Sequence, residues 1–264
     1  MKRTRFMTIK MIGLTSRARL QHVLDDLASH NDLVLDAGCG SGEFVISLLL
    51  GGFAVIGLDR DIRQLRDLSA AARRMGEHCN LVAADVSQLP FRDSSFEAVY
   101  CMEVINMLEK DDDALREFVR VLERDGTCTV TAPYEGYPII YDPLNRFLEK
   151  RRLHHRQLGI WSPGVKRLYR PSKLLLKLRS LGLTPIGLNY IGKWLIPALE
   201  NYISLLLYYK VLASRFRTRF ASSSRNRDVS AVLSAVSKVL DCIIRLDSVP
   251  NIYGTHFIIK ARKF

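Results

Sequence analysis

Short apolar runs alternate along this chain with longer segments in which apolar residues recur at helical spacing. Seven runs rich in Val, Ile, Leu and Ala predict β-strands, at 33–35, 54–59, 81–84, 95–102, 127–132, 183–191 and 254–262. The intervening patterns predict helices, of which those at 44–50 and 115–122 are the clearest. The second, which is the fourth helix of the α/β pattern, should stop at a C-cap near Asp125-Gly126. The order of strands and helices predicts an α/β fold.

The segment after the first predicted strand is the most informative part of the chain. It reads Asp36-Ala-Gly-Cys-Gly-Ser-Gly42, with glycine at every second position from 38 to 42. A glycine turn between a strand and a helix brings the backbone close to a nucleotide-like ligand, because glycine lacks a Cβ and tolerates positive φ. The dinucleotide fingerprint G-x-G-x-x-G would place its third glycine at position 43, which is Glu43. The pattern is therefore distinct from that fingerprint.

This D-x-G-x-G-x-G pattern resembles the first motif of the class I S-adenosylmethionine-dependent methyltransferases, and most closely their type 11 group. The segment Asp85-Val-Ser-Gln-Leu-Pro-Phe91 is similar to the D-x-x-x-L-P-F motif of that group. The resemblance is strong over about residues 15–135 and returns weakly at 164–191 and 254–263. It implies a Rossmann-like sheet of seven mostly parallel strands, the last one antiparallel, with helices on both faces.

The resemblance also implies S-adenosyl-L-methionine as the cofactor. In the family the glycine loop passes under the methionine part, and the acid at position 36 helps to hold the amino group. Asp59, about 20 residues after the glycines, would accept hydrogen bonds from ribose hydroxyls, and Asp85 would contact the adenine amino group. Each acid also has a structural alternative, as a helix cap or turn residue. The cofactor residues that we expect are Asp36, Ala37, Gly38, Cys39, Gly40, Gly42, Asp59, Arg60, Asp85, Val86 and Cys101.

The acceptor of the methyl group is expected beyond the ends of the fourth and fifth strands. The first candidates to contact it are Glu103, Asn106, Tyr134, Glu135, Tyr137 and Tyr169. Many relatives read E-V-[IL]-E-H-[LV] where this chain has Glu103-Val-Ile-Asn-Met-Leu108, so the family histidine is Met107. No catalytic base can be carried over from that position. His154 and His155 could serve from a lid, and the catalytic residue stays unassigned.

Length and composition fit one methyltransferase domain over 1–264. Within it we expect a lid-like insertion at 134–170 and a helical, basic cap at 192–253 between the last two strands. The five cysteines form neither a CxxC pair nor a metal-binding spacing, so we expect reduced thiols, a cytoplasmic chain and no bound metal. The basic N-terminus is not followed by an apolar segment typical of a secretion signal.

Charge divides the chain into two unequal parts. Residues 1–149 carry a net charge of −6, whereas residues 150–264 carry +18, from 22 basic and 4 acidic residues. Such a field attracts phosphates, anionic lipid head groups or nucleic acid, although basic side chains also simply cover helix surfaces. The apolar stretch 194–214 is interrupted by Glu200, Asn201 and Lys210, which argues against a membrane span and favours a buried or interfacial helix.

These features predict a methyltransferase that acts on a small-molecule or lipid-like acceptor, which the charge suggests is anionic. Peripheral contact with the anionic inner face of a membrane fits the arginine-rich linker at 215–227, which could equally be a solvated loop. The alternative is methylation of RNA or protein by the basic half. A third hypothesis is a non-catalytic binding protein, against which the intact acids and glycines argue. The oligomeric state is not predicted.

Overall fold

A computed structural model of the chain describes residues 14–27, 33–139, 141–153, 159–192 and 254–264. The strands are β1 (Leu33–Ala37), β2 (Ala54–Asp59), β3 (Asn80–Ala83), β4 (Phe96–Met102), β5 (Leu122–Pro133), β6 (Leu183–Ile191) and β7 (His256–Lys263). The α-helices are α1 (Leu14–Asp26), α2 (Glu43–Gly51), α3 (Ile62–Arg74), α4 (Asp111–Val121), α5 (Pro143–Lys150) and α6 (Pro171–Ser180). Short 3₁₀ turns lie at Ile105–Met107 and Gly159–Trp161.

The seven strands form one sheet in the order β3-β2-β1-β4-β5-β7-β6. Neighbours from β3 to β5 pair in parallel, and β7 runs antiparallel to both β5 and β6. The predicted Rossmann-like fold with a reversed last strand is confirmed. Strand order changes direction between β1 and β4, and such a switch point leaves a crevice beyond the carboxyl ends of the strands.

The sheet separates two apolar cores, and β4 contributes to both because successive side chains of a strand point to opposite faces. Val99 and Cys101 belong to the core that α4 and α6 cover. Ala98, Tyr100 and Met102 belong to the core that α1, α2 and α3 cover. This two-sided burial explains why β4 reads in the sequence as a nearly continuous apolar run.

The predicted end of the fourth helix was wrong. We expected it to stop at a C-cap near Asp125-Gly126, but α4 ends at Val121 and β5 begins at Leu122. Leu122 is fully buried and pairs with Phe96 in the sheet, so its burial fixes the strand start. The turn-like pair instead lies inside β5, where Asp125 has a φ of 64° and the register with β4 shifts.

Several predicted features lie outside the described residues. They include His154 and His155, the apolar stretch 194–214 and nearly all of the basic cap at 192–253, so these stay predictions. The described part of the lid-like insertion contains α5 and the 3₁₀ turn at Gly159–Trp161. In the ranges that the structure describes, no helix combines the length and apolar character needed to cross a membrane.

A buried carboxylate, that of Asp111, joins the first turn of α4 to the segment that leads into α6. It accepts hydrogen bonds from the Tyr169 hydroxyl (2.6 Å) and the Lys177 ammonium (2.7 Å), and it forms an ion pair with Arg167 at 3.1 Å. Burial alone would raise the pKa of Asp111, but the hydrogen bonds from Lys177 and Tyr169 outweigh it and the pKa lies below the ordinary value. The carboxylate is therefore ionised at neutral pH.

We predict that Asp111→Ala lowers the free energy of unfolding by about 2–3 kcal/mol, since it removes the buried carboxylate that Lys177, Arg167 and the Tyr169 hydroxyl share. The value is below the range for fully buried pairs because Lys177 and Arg167 are about one-third exposed. Asp113→Ala on the same helix removes only a surface pair with Arg116 and should cost less than about 1 kcal/mol. Denaturant unfolding measures both, and equal losses would contradict the role given to Asp111.

Candidate functional site

One cavity of about 500 Å³ opens beyond the carboxyl ends of β1, β2 and β4, at the switch point of the sheet. Its size is within the range of small-molecule sites. The glycine turn after β1 and the first turns of α2 and α3 lie on one side, and the segment after β4 lies on the other. Six carboxylates and two guanidinium groups line the cavity, namely Asp36, Glu43, Asp59, Asp61, Asp85, Glu103, Arg19 and Arg60.

The glycine turn has a backbone that other residues could not adopt without strain. Gly38 and Gly42 have φ values of +85° and +78°, in the left-handed region. A Cβ on Gly38 would come within 2.4 Å of the Val104 side chain, and one on Gly42 within 2.2 Å of Leu68. The amides of Gly38 and Cys39 both donate to the carbonyl oxygen of Leu58, which fixes the turn to β2.

The carboxylate of Asp59 holds the same turn from the end of β2. Its Oδ2 accepts a hydrogen bond from the Gly40 amide at 2.8 Å, and its Oδ1 accepts one from the Asp61 amide at 2.9 Å. Each carboxylate oxygen can accept a second hydrogen bond, so the group can still receive ligand hydroxyls. Asp59 thus combines a structural role with a place in the cavity lining.

Asp85 also lines the cavity, and its position agrees in part with the structural alternative, a turn residue. Its Oδ1 accepts hydrogen bonds from the amide (2.8 Å) and the hydroxyl (2.6 Å) of Ser87. These hydrogen bonds lower the pKa of Asp85. The carboxylate therefore remains ionised and can accept a hydrogen bond from a ligand.

Asp36 at the end of β1 is buried and incompletely satisfied. Its residue surface is 1% exposed, and its Oδ2 has no hydrogen-bond partner among the described residues. Burial, and to a smaller extent repulsion from Asp59, raises the pKa of Asp36 to about 7. A buried carboxylate without a partner is unfavourable. A cationic ligand at this position would stabilise its ionised form.

Arg19 on α1 is a lining residue that sequence reasoning missed. Its side chain is 11% exposed and forms an ion pair with Glu103 at 3.3 Å. The Nε of its guanidinium has no hydrogen-bond partner among the described residues. The only signal in the sequence is a basic residue between the buried Ala18 and Leu20, and that signal does not identify a site by itself.

Glu103 follows β4 directly and faces two groups from distant parts of the chain. Its φ of 60° is unusual for a residue other than glycine, and strain of this kind concentrates at functional sites. Its Oε2 lies 3.6 Å from Nε2 of His256, whose Nδ1 is 2.9 Å from the Thr255 hydroxyl. Burial lowers the pKa of His256 to about 4, so the imidazole is neutral at pH 7.

Most of the residues predicted to bind the cofactor lie at this cavity. Those that line it are Asp36, Gly38, Cys39, Gly40, Asp59, Arg60, Asp85 and Val86. Ala37, Gly42 and Cys101 do not line it. The side chains of Ala37 and Cys101 are fully buried in the core, and Gly42 caps the start of α2. Direct contact with a ligand stays a prediction for the lining residues.

Of the six predicted acceptor residues, only Glu103 lines the cavity. The other five lie outside its lining, and their contact with an acceptor stays a prediction. The Tyr137 hydroxyl donates to Glu149, and the Tyr169 hydroxyl donates to Asp111. Tyr134 packs edge-on against Tyr190, and Glu135 pairs with Arg170. Asn106 lies in the 3₁₀ turn and is 1% exposed, and neither polar atom of its side chain has a hydrogen-bond partner among the described residues.

Residues 35–130 match the family model of the type 11 methyltransferase domain. These residues form a class I S-adenosylmethionine-dependent methyltransferase domain. The family expected from the motifs is thus confirmed. Its glycine turn and strand-end acids are the parts of this methyltransferase domain that form the cavity described above.

Two curated relatives illustrate the similarity of this methyltransferase chain. A sterol 4-C-methyltransferase of Caenorhabditis elegans is 28% identical over 151 residues, which cover 54% of this chain and 43% of that protein. A ubiquinone biosynthesis O-methyltransferase of Rickettsia bellii is 25% identical over 118 residues, which cover 43% and 49%. The chain thus spans about half the length of these relatives.

A solved structure shares the fold over nearly the whole chain. The [4+2]-cyclase SpnF superposes with a TM-score of 0.59 and 20% identity, over 93% of this chain and 81% of that one. At this identity the likeness shows the fold alone. The reaction has to be argued from the residues of the cavity.

The charges of the cavity fit S-adenosylmethionine, the cofactor of this family. Its amino-acid end carries an ammonium and a carboxylate, which match the unpartnered carboxyl of Asp36 and the unfilled guanidinium of Arg19. Its ribose hydroxyls match the free acceptor capacity of Asp59. The excess of carboxylates in the lining also suits the positive sulfonium. The residues present therefore fit the group.

We predict that Asp36→Asn weakens binding of S-adenosylmethionine by about 10- to 100-fold, the usual range for a lost hydrogen bond to a charged group. Isothermal calorimetry measures the affinity. Asp93→Asn, an exposed carboxylate outside the cavity, is the matched control and should leave the affinity unchanged. Equal affinity in wild type and Asp36→Asn would exclude an ammonium partner at Asp36.

The raised pKa of Asp36 also predicts a pH dependence of stability without cofactor. A folded pKa of about 7 exceeds the ordinary 3.8, so the folded state binds the proton more tightly than the unfolded state. This contribution is complete below pH 3.8 and is lost as the pH rises through 7. Thermal unfolding between pH 5 and 8 should show a larger loss for wild type than for Asp36→Asn. Parallel curves would contradict the shift.

Proposed function

We propose that the chain transfers the methyl group of S-adenosylmethionine to a small, apolar acceptor. The observation that carries the proposal is that one cavity is lined by both the Asp36 carboxyl group and the buried Arg19 guanidinium, each of which has an atom without a hydrogen-bond partner. A zwitterionic amino-acid end satisfies both groups at once. Neither group has a full set of partners among the described residues.

The residues of the cavity supply position rather than bond-breaking chemistry. When bound, the sulfonium cofactor supplies a methyl group that is already electrophilic. Asp36 and Arg19 would hold its amino-acid end, while Asp59 would orient the ribose and simultaneously fix the glycine turn through Gly40. Alignment of donor and acceptor, together with exclusion of water, accounts for most of the acceleration that such a site can give.

The acceptor side of the cavity is apolar apart from Glu103. Met102, Val104, Met107 and Leu108 line it, and methionine side chains adapt to ligands of irregular shape. The relatives named as sterol and ubiquinone methyltransferases support an apolar acceptor. We propose that Glu103 accepts a hydrogen bond from a hydroxyl or amine of the acceptor, because its contacts with Arg19 at 3.3 Å and His256 at 3.6 Å hold its carboxylate in place.

The lining does not favour the anionic acceptor expected from the charge of residues 150–264. Six carboxylates face two guanidinium groups in the cavity, so a phosphate or an RNA backbone would meet repulsion there. This balance also weighs against the alternative of RNA methylation at this site. An apolar, uncharged acceptor group is the better match, and any anionic part would have to lie outside the cavity.

Cofactor binding followed by turnover tests the proposal. Calorimetry with S-adenosylmethionine and S-adenosylhomocysteine should show one site per chain. Methyl-radiolabelled cofactor is then incubated with isoprenoid phenols, sterols and fatty acids in vesicles, and with total RNA. Label in the lipid fraction supports the proposal. Label confined to RNA or protein would overturn the acceptor class, and cofactor binding without any turnover would favour the non-catalytic hypothesis.

Glu103 and Glu135 were both predicted to contact the acceptor, but only Glu103 lines the cavity. With an acceptor in hand, Glu103→Gln should lower kcat/KM by about tenfold or more, because it removes a charged hydrogen-bond acceptor beside the reacting group. Glu135→Gln alters only an exposed pair with Arg170 and should leave kcat/KM unchanged. Cofactor affinity is measured for both variants. An equal effect of the two substitutions on kcat/KM would contradict the assignment.

A further inference from the structure

Helix α5 (Pro143–Lys150) has its polar side inward and its apolar side outward, the reverse of an ordinary surface helix. Asn145 is 1% exposed and Asp142, its N-cap, is 9% exposed. In contrast, Leu144 and Phe147 are 45% and 48% exposed. Such inversion is unfavourable in water, which indicates that the outer side contacts something other than solvent.

The inward side of α5 is fixed by a dense set of polar contacts. The Asp142 carboxylate accepts hydrogen bonds from the amide and the side chain of Asn145. Glu149 accepts hydrogen bonds from the Tyr137 hydroxyl, the Trp161 indole and Arg146. The contacts with Tyr137 and Trp161, which lie outside the helix, fix its rotation, so the apolar side cannot turn inward without breaking them.

The outward side and its flanking turns form an apolar–basic patch. Eleven large apolar side chains are exposed among the described residues, and four of them fall within 139–153. The patch comprises the apolar Ile139, Leu144, Phe147 and Leu153 and the exposed basic Lys150, Arg151 and Arg152. The guanidinium of Arg151 lies 4.0 Å above the Phe147 ring, so apolar and cationic groups are interleaved. Both acids of the segment, Asp142 and Glu149, are engaged inward.

Charge selects the class of partner. Residues 193–253 of the same chain carry nine basic and four acidic residues, so their net positive charge is repelled by the patch. An anionic partner is required. Nucleic acid meets the charge requirement, but its phosphate backbone provides no apolar surface for the four exposed apolar side chains of the patch. An anionic lipid surface satisfies both components.

We propose that the apolar–basic patch docks this chain on an anionic lipid bilayer. Leu144 and Phe147 enter the boundary between head groups and acyl chains, while Lys150, Arg151 and Arg152 remain at the level of the phosphates. The inference goes beyond the proposed methyl transfer and does not depend on it. The segment leaves the sheet after β5, whose carboxyl end shares an edge with the cavity, so docking would bring the cavity to the bilayer side.

Vesicle flotation of the full chain, without cofactor, tests the proposal. Vesicles of phosphatidylcholine are compared with vesicles containing 30% phosphatidylglycerol at low salt. Binding should be at least about tenfold stronger to the anionic vesicles, since each basic group near such a surface contributes about 1 kcal/mol. Leu144→Ser combined with Phe147→Ser should reduce it by at least about tenfold. Lys150→Glu combined with Arg151→Glu should abolish the preference for anionic vesicles.

Matched controls separate the patch from general hydrophobicity. Leu176→Ser and Ile62→Ser remove equally exposed apolar side chains, 65% and 53% exposed, from α6 and α3 and should leave binding unchanged. Circular dichroism and calorimetric cofactor affinity verify that every variant is folded. Binding of the patch variants at wild-type strength, or no preference for anionic vesicles, would overturn the proposal. The proposal would also be overturned if the patch variants lost self-association or RNA binding but still bound vesicles.

Discussion

The cofactor site depends on one electrostatic constraint. The carboxyl group of Asp36 is buried at the end of β1, and its Oδ2 has no hydrogen-bond partner among the described residues. At Asp111, in contrast, three donors surround a buried carboxylate. At Asp36 the fold leaves the charge uncompensated and raises its pKa to about 7. A cationic ligand resolves that cost on binding, so part of the affinity comes from relieving an unfavourable group. Arg19 pairs with Glu103 but keeps a buried Nε without a partner, so Asp36 and Arg19 together match a zwitterion.

The positions of both groups follow from the order of the strands. Because β1 and β4 are neighbours whose connections leave in opposite directions, a crevice forms between the glycine turn and the segment after β4. Glycine is needed where that segment approaches the turn, since Val104 occupies the space that a Cβ on Gly38 would fill. On the far side β7 lies beside β5, which brings His256 to Glu103 although 153 positions separate them in sequence. One topology thus provides a cofactor side and an acceptor side.

What could be predicted from the sequence was local. The glycine turn, the strand-end acids and the seven strands all leave signals within a few neighbouring residues, and the family and fold predicted from them are confirmed. Arg19 and His256 could not be found this way, because their roles arise only when α1 and β7 pack against β4. Contact with an acceptor stays a prediction for Tyr137 and Tyr169, which follow β5 but whose hydroxyls donate to Glu149 and Asp111. The outward orientation of the apolar side of α5 could not be predicted either, since the sequence pattern of α5 resembles that of any amphipathic helix.

We propose that the cofactor ammonium binds the Asp36 carboxylate and that the cofactor carboxylate binds the Arg19 guanidinium. A crystal structure of the chain with S-adenosylhomocysteine tests it most directly, because that product keeps the same amino-acid end. We expect the ligand's amino group within hydrogen-bond distance of the Asp36 carboxylate. The ligand's carboxylate should lie beside the Arg19 guanidinium, above the glycine turn. A ligand bound elsewhere, or bound here with Asp36 still unpartnered, would contradict it.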